Sequence, residues 1–591
     1  MTMRHHLLRW IPPLALFGLF VGADLVRIHL QIQHLMYDIP WARVVECWFV
    51  VILSTMVLER LMVRLVPNRQ QHWSVLTLAI ASGCAAGEAL LSFDYGGLLG
   101  ALLMLLVATA TPHISNLLAS IPFVLLWLFC RPVQLPLESH ASQAQGPDIV
   151  VITIDTVRED ALSHSPRALV PNLTPHLDAI ATSGCHHDQA SATSPLTGPS
   201  HAAMFSGMHP IELGLFRNGG TLPDDTPWLP DALHKVGYQT AAFVSSAMLE
   251  GDLGYRRGFD VYEDDQSGHA AILHSSLAPL FPPPRISKQD AFSRFGLKTI
   301  DKMSRWLKQA DPAQPIFLWL HLYDAHRPYV STLASQQFVE NIALDLPAPE
   351  SYSQWKEPKH ASKEATMTQT IFSELRNGHE SNPLKSKPNA TSKTYLAGVR
   401  DLDKIVGTAW ERIDTYRTKP RVWAVLADHG ESLTEHGELG SHQHNVYEAN
   451  LRVPYLLSGS HCPSGPVSTV NLAHDVLQQA ELNIDWNSPT QAVEATVSAG
   501  KKAPSHPSTT KVSKRVGDHK MVVGLRDGNT HFTEVYDLAV DRHEERPLQT
   551  VPTALTDFVA DIQARTEKSP ETKSEDDSVN EALRALGYIE E

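Results

Sequence analysis

Apolar runs at about 10–26, 46–66, 73–93 and 97–111, and a last one at 117–130 ending IPFVLLWLFC, fill the first 133 residues with few charges between them. A helix that crosses the hydrocarbon core needs roughly 20 apolar residues, so the first three runs are long enough and the last two are short. Any one run alone reads equally as a buried core helix. Several in succession with no polar helix between them read as a membrane region of four or five helices over residues 1–133.

Orientation follows from the basic residues. Arg4 and Arg9 precede the first run and Arg60, Arg64 and Arg69 close the second, whereas the turn after the third holds Asp94 and no Lys or Arg. The positive-inside bias puts the N-terminus and the second loop in the cytoplasm. Five spans deliver the following chain to the outer face; four leave it inside. Thr111-Pro-His-Ile-Ser-Asn116 reads as a turn that splits the final apolar stretch and favours five. The expectation is a multi-pass protein of the inner (plasma) membrane, partnered by the lipid bilayer, with its large domain periplasmic or extracellular. A signal peptide is the alternative for the first run, but no small-residue cleavage site follows it.

The rest of the 591-residue chain is polar and rich in His and Pro. Its net charge of −15 leaves no basic stripe to neutralise phosphates, which excludes a nucleic-acid surface. Cys185 and Cys462 are the two cysteines beyond the apolar region, read as unrelated buried thiols; pairing requires an oxidising compartment.

After a polar linker at 134–147, Asp148-Ile-Val-Val-Ile-Thr-Ile-Asp155 is a fully apolar strand ending in a carboxylate, the pattern of a buried parallel strand carrying a ligand to its sheet's C-terminal edge. Val422-Trp-Ala-Val-Leu-Ala-Asp428-His429 repeats it. Ile316-Phe-Leu-Trp-Leu-His321 leads into Asp324 and His326 in the same way. Helical stretches at Trp228 to Val236 and Thr394 to Ile413 complete a doubly wound α/β domain over 148–510, with an irregular insertion at about 332–393. Residues 511–591 form a C-terminal subdomain, where Lys520-Met-Val-Val-Gly and Thr533-Glu-Val-Tyr-Asp537 pair antiparallel before a charged stretch at 565–578.

Asp155, Asp428 and His429 together suit a divalent ion such as Zn²⁺ or Mn²⁺. Thr197, in Ser194-Pro-Leu-Thr-Gly-Pro-Ser200-His201, falls at a predicted helix start, where a positive field and a metal favour an alkoxide nucleophile; a simple N-cap is the alternative.

These and further motifs resemble the sulfatase branch of the alkaline phosphatase superfamily. The motifs run in family order: Ile154-Asp-Thr-Val-Arg158, Thr197-Gly-Pro-Ser-His-Ala-Ala203, Leu253-Gly-Tyr-Arg-Arg-Gly-Phe-Asp-Val-Tyr262, His321-Leu-Tyr-Asp-Ala-His-Arg-Pro-Tyr329, Asp428-His-Gly-Glu431, Tyr447-Glu-Ala-Asn-Leu-Arg-Val-Pro454, and the endings Glu534 to Leu538 and Leu583 to Tyr588. The resemblance implies an alkaline-phosphatase-like α/β fold with a small C-terminal antiparallel sheet, in which Asp155, Thr197, Asp428 and His429 bind the metal and Thr197 is the nucleophile. It assigns His326, His442 and His444 to the ester oxygens or the leaving group. Asp324 either helps to hold a second ion or orients a histidine, and Arg158 and Arg327 either meet an anionic substrate or form structural ion pairs.

Departures from the family pattern narrow the reaction. Formylglycine sulfatases oxidise a Cys or Ser within Cys/Ser-x-Pro-x-Arg; here Thr197 and His201 stand in those places, and threonine's β-methyl forbids the aldehyde. Val244 to Ala247 replaces the family's Gly-Lys-Trp-His, and Asp155-Thr156 replaces its paired Asp, which makes Ca²⁺ or Mg²⁺ less favoured than Zn²⁺ or Mn²⁺. The reading is a hydrolase or transferase of phosphate or sulfate esters at the outer membrane face, with an anionic substrate such as an envelope lipid or glycan. A sulfatase without formylglycine and an inactive binding ectodomain are the alternatives.

Overall fold

A computed structural model describes residues 146–264, 293–327, 329–346, 390–437, 441–459, 465–487, 489–490, 492–498, 510–526 and 529–568. The membrane spans and their number, most of the linker and the ending Leu583 to Tyr588 lie outside the described residues. No helix among the described residues is long and apolar enough to cross a membrane.

The strands, in chain order, are β1 (Asp148–Ile154), β2 (Cys185–His186), β3 (Gln239–Phe243), β4 (Val261–Glu263), β5 (Ile316–Leu322), β6 (Arg421–Ala427) and β7 (Tyr455–Leu457). They form one seven-stranded sheet in the order β2-β7-β6-β1-β5-β3-β4. The run β6-β1-β5-β3-β4 is parallel, and β7 and β2 close one edge antiparallel. β1 and β5 are buried at every position, which is why they read as unbroken apolar runs. At the far end of β1, Arg417 grips Asp148 with two hydrogen bonds of 2.8 Å, so the strand is fixed opposite the edge that carries the site.

Helices α1 (Thr197–Ser206), α2 (Leu229–Lys235), α3 (Gly296–Gln309), α4 (Leu333–Val339) and α5 (Ala390–Tyr416) accompany the sheet. All ten residues of α1 are buried. Phe205 on α1 meets Trp319 of β5 edge to face at 4.7 Å, which sets the helix against the sheet. From α5, the Tyr395 hydroxyl donates to the Thr156 carbonyl and accepts the Arg158 N–H, pinning the turn that follows β1. Of the insertion expected to be irregular at about 332–393, the first residues form a helix, α4, capped by the Thr332 hydroxyl, and the last belong to α5; residues 347–389 lie outside the described residues.

A second, four-stranded antiparallel sheet runs β8 (Val493–Ser498), β9 (Thr510–Val516), β10 (His519–Arg526) and β11 (Asn529–Asp537) in sequential order. Its β8 precedes the boundary expected at residue 510. The sequence pairing of Lys520 and Thr533 to Asp537 is the β10–β11 hairpin. Helix α6 (Phe558–Lys568) covers this sheet through Phe558 and Ile562, packed with Val512, Met521 and Val535. Between the two sheets Lys520 is buried against Glu448 at 2.9 Å and Glu544 at 3.0 Å. Cys185, the only cysteine among the described residues, is disulfide-bonded, which corrects its reading as an isolated thiol.

Candidate active site

The register of the central strands assembles the site. Ile154 of β1 lies opposite Ala427 of β6, so the next residues, Asp155 and Asp428, leave the sheet side by side. Thr197 is the first residue of α1, after an apolar residue, Leu196, at the cap position that offers no side-chain capping bond. The Thr197 hydroxyl donates to Asp155 Oδ2 at 3.3 Å. Ser200, one turn along, donates to the Asp428 carbonyl at 2.7 Å and ties the helix start to the second strand end. The turn after Asp155 passes through Thr156 at φ +59°, a left-handed conformation that costs a β-branched residue strain.

His429 Nδ1 bonds the Gly430 carbonyl at 3.0 Å, which places the ring proton on Nδ1 and leaves the Nε2 lone pair facing the carboxylates. Nε2 lies 3.5 Å from Asp428 Oδ2 and 3.9 Å from Asp155 Oδ1. Asp155 Oδ1, Asp428 Oδ2 and His429 Nε2 are all buried without a hydrogen-bond partner among the described residues. One ligand atom from each residue falls within 4.8 Å of the others. Orphaned acceptors gathered this tightly are costly unless a cation joins them, and a divalent ion with oxygen and imidazole ligands fits. Burial pushes the Asp155 carboxyl up to about 7 against the pull of His429. Asp428 is raised by burial and by Asp155, while for His429 the two carboxylates outweigh burial and raise it.

A histidine cluster adjoins this centre. The His442 ring lies 4.4 Å from that of His429, and His326 meets His442 edge to face at 5.0 Å. His442 Nδ1 bonds Glu431 Oε1 at 3.1 Å, and His326 stacks on Tyr323 at 4.1 Å. Burial holds both His326 and His442 well below the usual histidine range, helped by His442 for His326 and by His429 and His444 for His442. His444, half-buried, follows His442 on the same segment.

Of the other expected residues, Asp324 and Arg158 are engaged elsewhere. Both Asp324 oxygens accept the Gly296 N–H at 3.0 Å, so this carboxylate caps α3. Arg158 pairs with Asp160 at 2.7 Å and Glu435 at 2.8 Å, the structural ion pair among its two readings. Arg327 follows His326, and its charge is felt by Glu431 and His442.

Sequence reasoning missed Glu431, Ser200 and His321 as members of the site. Glu431 stood in a quoted motif, where an orienting carboxylate two residues beyond a ligand was a usable signal. His321 sits one pair inside the sheet edge, opposite Thr153, and reads as core.

A parallel α/β sheet that presents two carboxylates, an imidazole and a helix-start hydroxyl at its C-terminal edge is the architecture of alkaline-phosphatase-like metal centres. The chain belongs to the sulfatase family, whose model matches residues 147–482. Arylsulfatase K of Rattus norvegicus is 24% identical over 333 residues, covering 54% of this chain and 56% of that one. The ulvan-active sulfatase of Formosa agariphila is 23% identical over 323 residues, covering 53% and 56%. The chain thus spans a little over half the length of these relatives. Among solved structures, a protein in complex with its substrate D-glucosamine-2-N,6-O-disulfate superposes with a TM-score of 0.53 at 16% identity, over 73% of this chain and 100% of that one. That likeness shows the fold.

Proposed function

We propose that this chain is a metal-dependent hydrolase or transferase of phosphate or sulfate esters, acting at the outer face of the inner membrane with Thr197 as nucleophile. The observation that carries the reading is the convergence of Thr197 Oγ1 with orphaned atoms of Asp155, Asp428 and His429. A divalent ion held by those three residues and Thr197 supplies a lowered hydroxyl pKa and balances the charge of the ester. The α1 N-terminus adds a positive field at the same oxygen.

Thr197 Oγ1 forms the new bond to phosphorus or sulfur as the bond to the leaving oxygen breaks, and the hydroxyl proton has Asp155 Oδ2 as its acceptor. The leaving oxygen takes a proton from the cluster of His326, His442 and His444. Water, or an acceptor hydroxyl in a transfer, then displaces Thr197 from the covalent ester. Arg327, beside that cluster, faces the anionic substrate. The relatives named as sulfatases favour sulfate as the ester, whereas Thr197 in place of a formylglycine precursor favours phosphate. Cys185's disulfide supports a domain outside the cytoplasm.

The test sets aryl sulfate against bis-phosphoester substrates with purified protein and its Thr197→Ala variant. Turnover of either ester that vanishes in the variant supports the reading and names the ester. Turnover unchanged in the variant removes Thr197 from the mechanism.

A further inference from the structure

The ring of His321 is fully buried, and neither of its nitrogens has a hydrogen-bond partner among the described residues. An imidazole taken out of water with both nitrogens unpaired is costly, and such a group in a core calls for an ion or a partner that explains it. Its Nε2 lies 3.4 Å from Asp155 Oδ2, the same oxygen that accepts from Thr197 at 3.3 Å. Ligand atoms of His321, Asp428 and His201 also gather within 4.8 Å of one another, a second set that shares Asp428 with the first.

His201 can be removed from that set by its hydrogen bonds. The Trp319 indole N–H, which only donates, bonds the Thr153 hydroxyl at 3.0 Å. The Thr197 carbonyl, which only accepts, lies 2.8 Å from His201 Nδ1, so Nδ1 carries the ring proton, and Nε2 accepts from the Thr153 hydroxyl at 3.0 Å. Every donor in this chain finds an acceptor, and no lone pair of His201 is left for a cation. The two rings touch edge to face, with centroids 5.1 Å apart, yet only His321 has uncommitted nitrogens.

We infer that His321 is a ligand of the metal centre, giving the ion a second imidazole beside that of His429. β5 delivers His321 from the side of β1 opposite β6, so the three central strands of the sheet each contribute a donor. The inference rests on the reading of the site as a metal centre, and the test separates the two.

The test loads the full-length protein with Zn²⁺ alone and counts imidazoles per zinc by X-ray absorption, in the wild type and in His321→Ala, His321→Gln and His201→Gln. Two imidazoles in the wild type, one in both His321 variants and two in His201→Gln are the expected result. The glutamine variant retains most of the side-chain volume, so it serves if the alanine variant fails to fold. One imidazole in the wild type overturns the inference while leaving the metal centre intact, as does an unchanged count in the His321 variants. Loss of an imidazole in His201→Gln but not in the His321 variants assigns the ligand to His201 instead and overturns it too. A wild type that binds no zinc overturns both readings.

Discussion

Thr197 and Ser200 lie one helical turn apart on α1 and do different work. Thr197 faces the carboxylates, while Ser200 holds the Asp428 carbonyl. Thr197→Ala removes the oxygen proposed to attack but only a hydroxyl's worth of packing. We expect kcat to fall at least ~10³-fold with the thermal midpoint almost unmoved, measured by steady-state kinetics beside calorimetry. Ser200→Ala has the opposite profile. It leaves a buried carbonyl without its donor and is expected to lower unfolding free energy by about 1–2 kcal/mol in denaturant titrations, with catalysis reduced only through the shift it permits in Asp428. Equal kinetic damage from both substitutions contradicts this division of roles.

At the scale of elements, the site is a junction of β1, β6 and the start of α1, and its tolerance is set by how closely the connecting backbones approach. Gly430, directly after His429, is packed so that a Cβ would sit 2.3 Å from the Ala449 carbonyl oxygen. Its own N–H donates to the Asn450 carbonyl at 2.8 Å, so the loop has little room to retreat. Gly430→Ala is expected to cost about 1–3 kcal/mol in stability and to weaken zinc binding by displacing His429, readable by chelator competition. The ion would tie the same three elements. Removing it with a chelator is expected to lower the thermal midpoint, since a ligand present at about 1,000 times its Kd stabilises by about 4 kcal/mol. An unchanged midpoint after verified metal removal speaks against a structural tie at this junction.

Across the whole molecule, what the sequence made legible follows from burial. β1, β5 and β6 were readable because strands covered on both faces are continuous apolar runs, whereas β2, two residues long, and β4, three residues long, are too short to carry a pattern. Asp155, Thr197, Asp428 and His429 stood out because each falls at a strand or helix end. Asp324 and Arg158 occupy similar ends, yet one caps α3 and the other holds a loop, because residue type and position do not reveal which neighbour arrives from elsewhere in the chain. That loop contact has a consequence for the stability of the fold. Arg158 follows β1 and Glu435 follows β6, and both side chains are almost fully buried. Burial alone would raise the Glu435 carboxyl, but the Arg158 guanidinium and the Thr434 N–H outweigh it and bring it down from 4.5 to about 2. A depressed carboxyl stabilises the folded chain above its unfolded pKa, and the contribution fades as pH falls through the folded value. Stability is therefore expected to drop between about pH 4.5 and pH 2, by at most about 3 kcal/mol from this group at 1.36 kcal/mol per unit. Glu435→Gln should flatten that part of the acid limb in urea titrations, and at pH 7 it should cost about 3 kcal/mol or more by leaving Arg158 short of a buried partner. If the variant keeps the wild-type slope below pH 4.5, other carboxylates govern the acid limb and Glu435 does not tie these two loops.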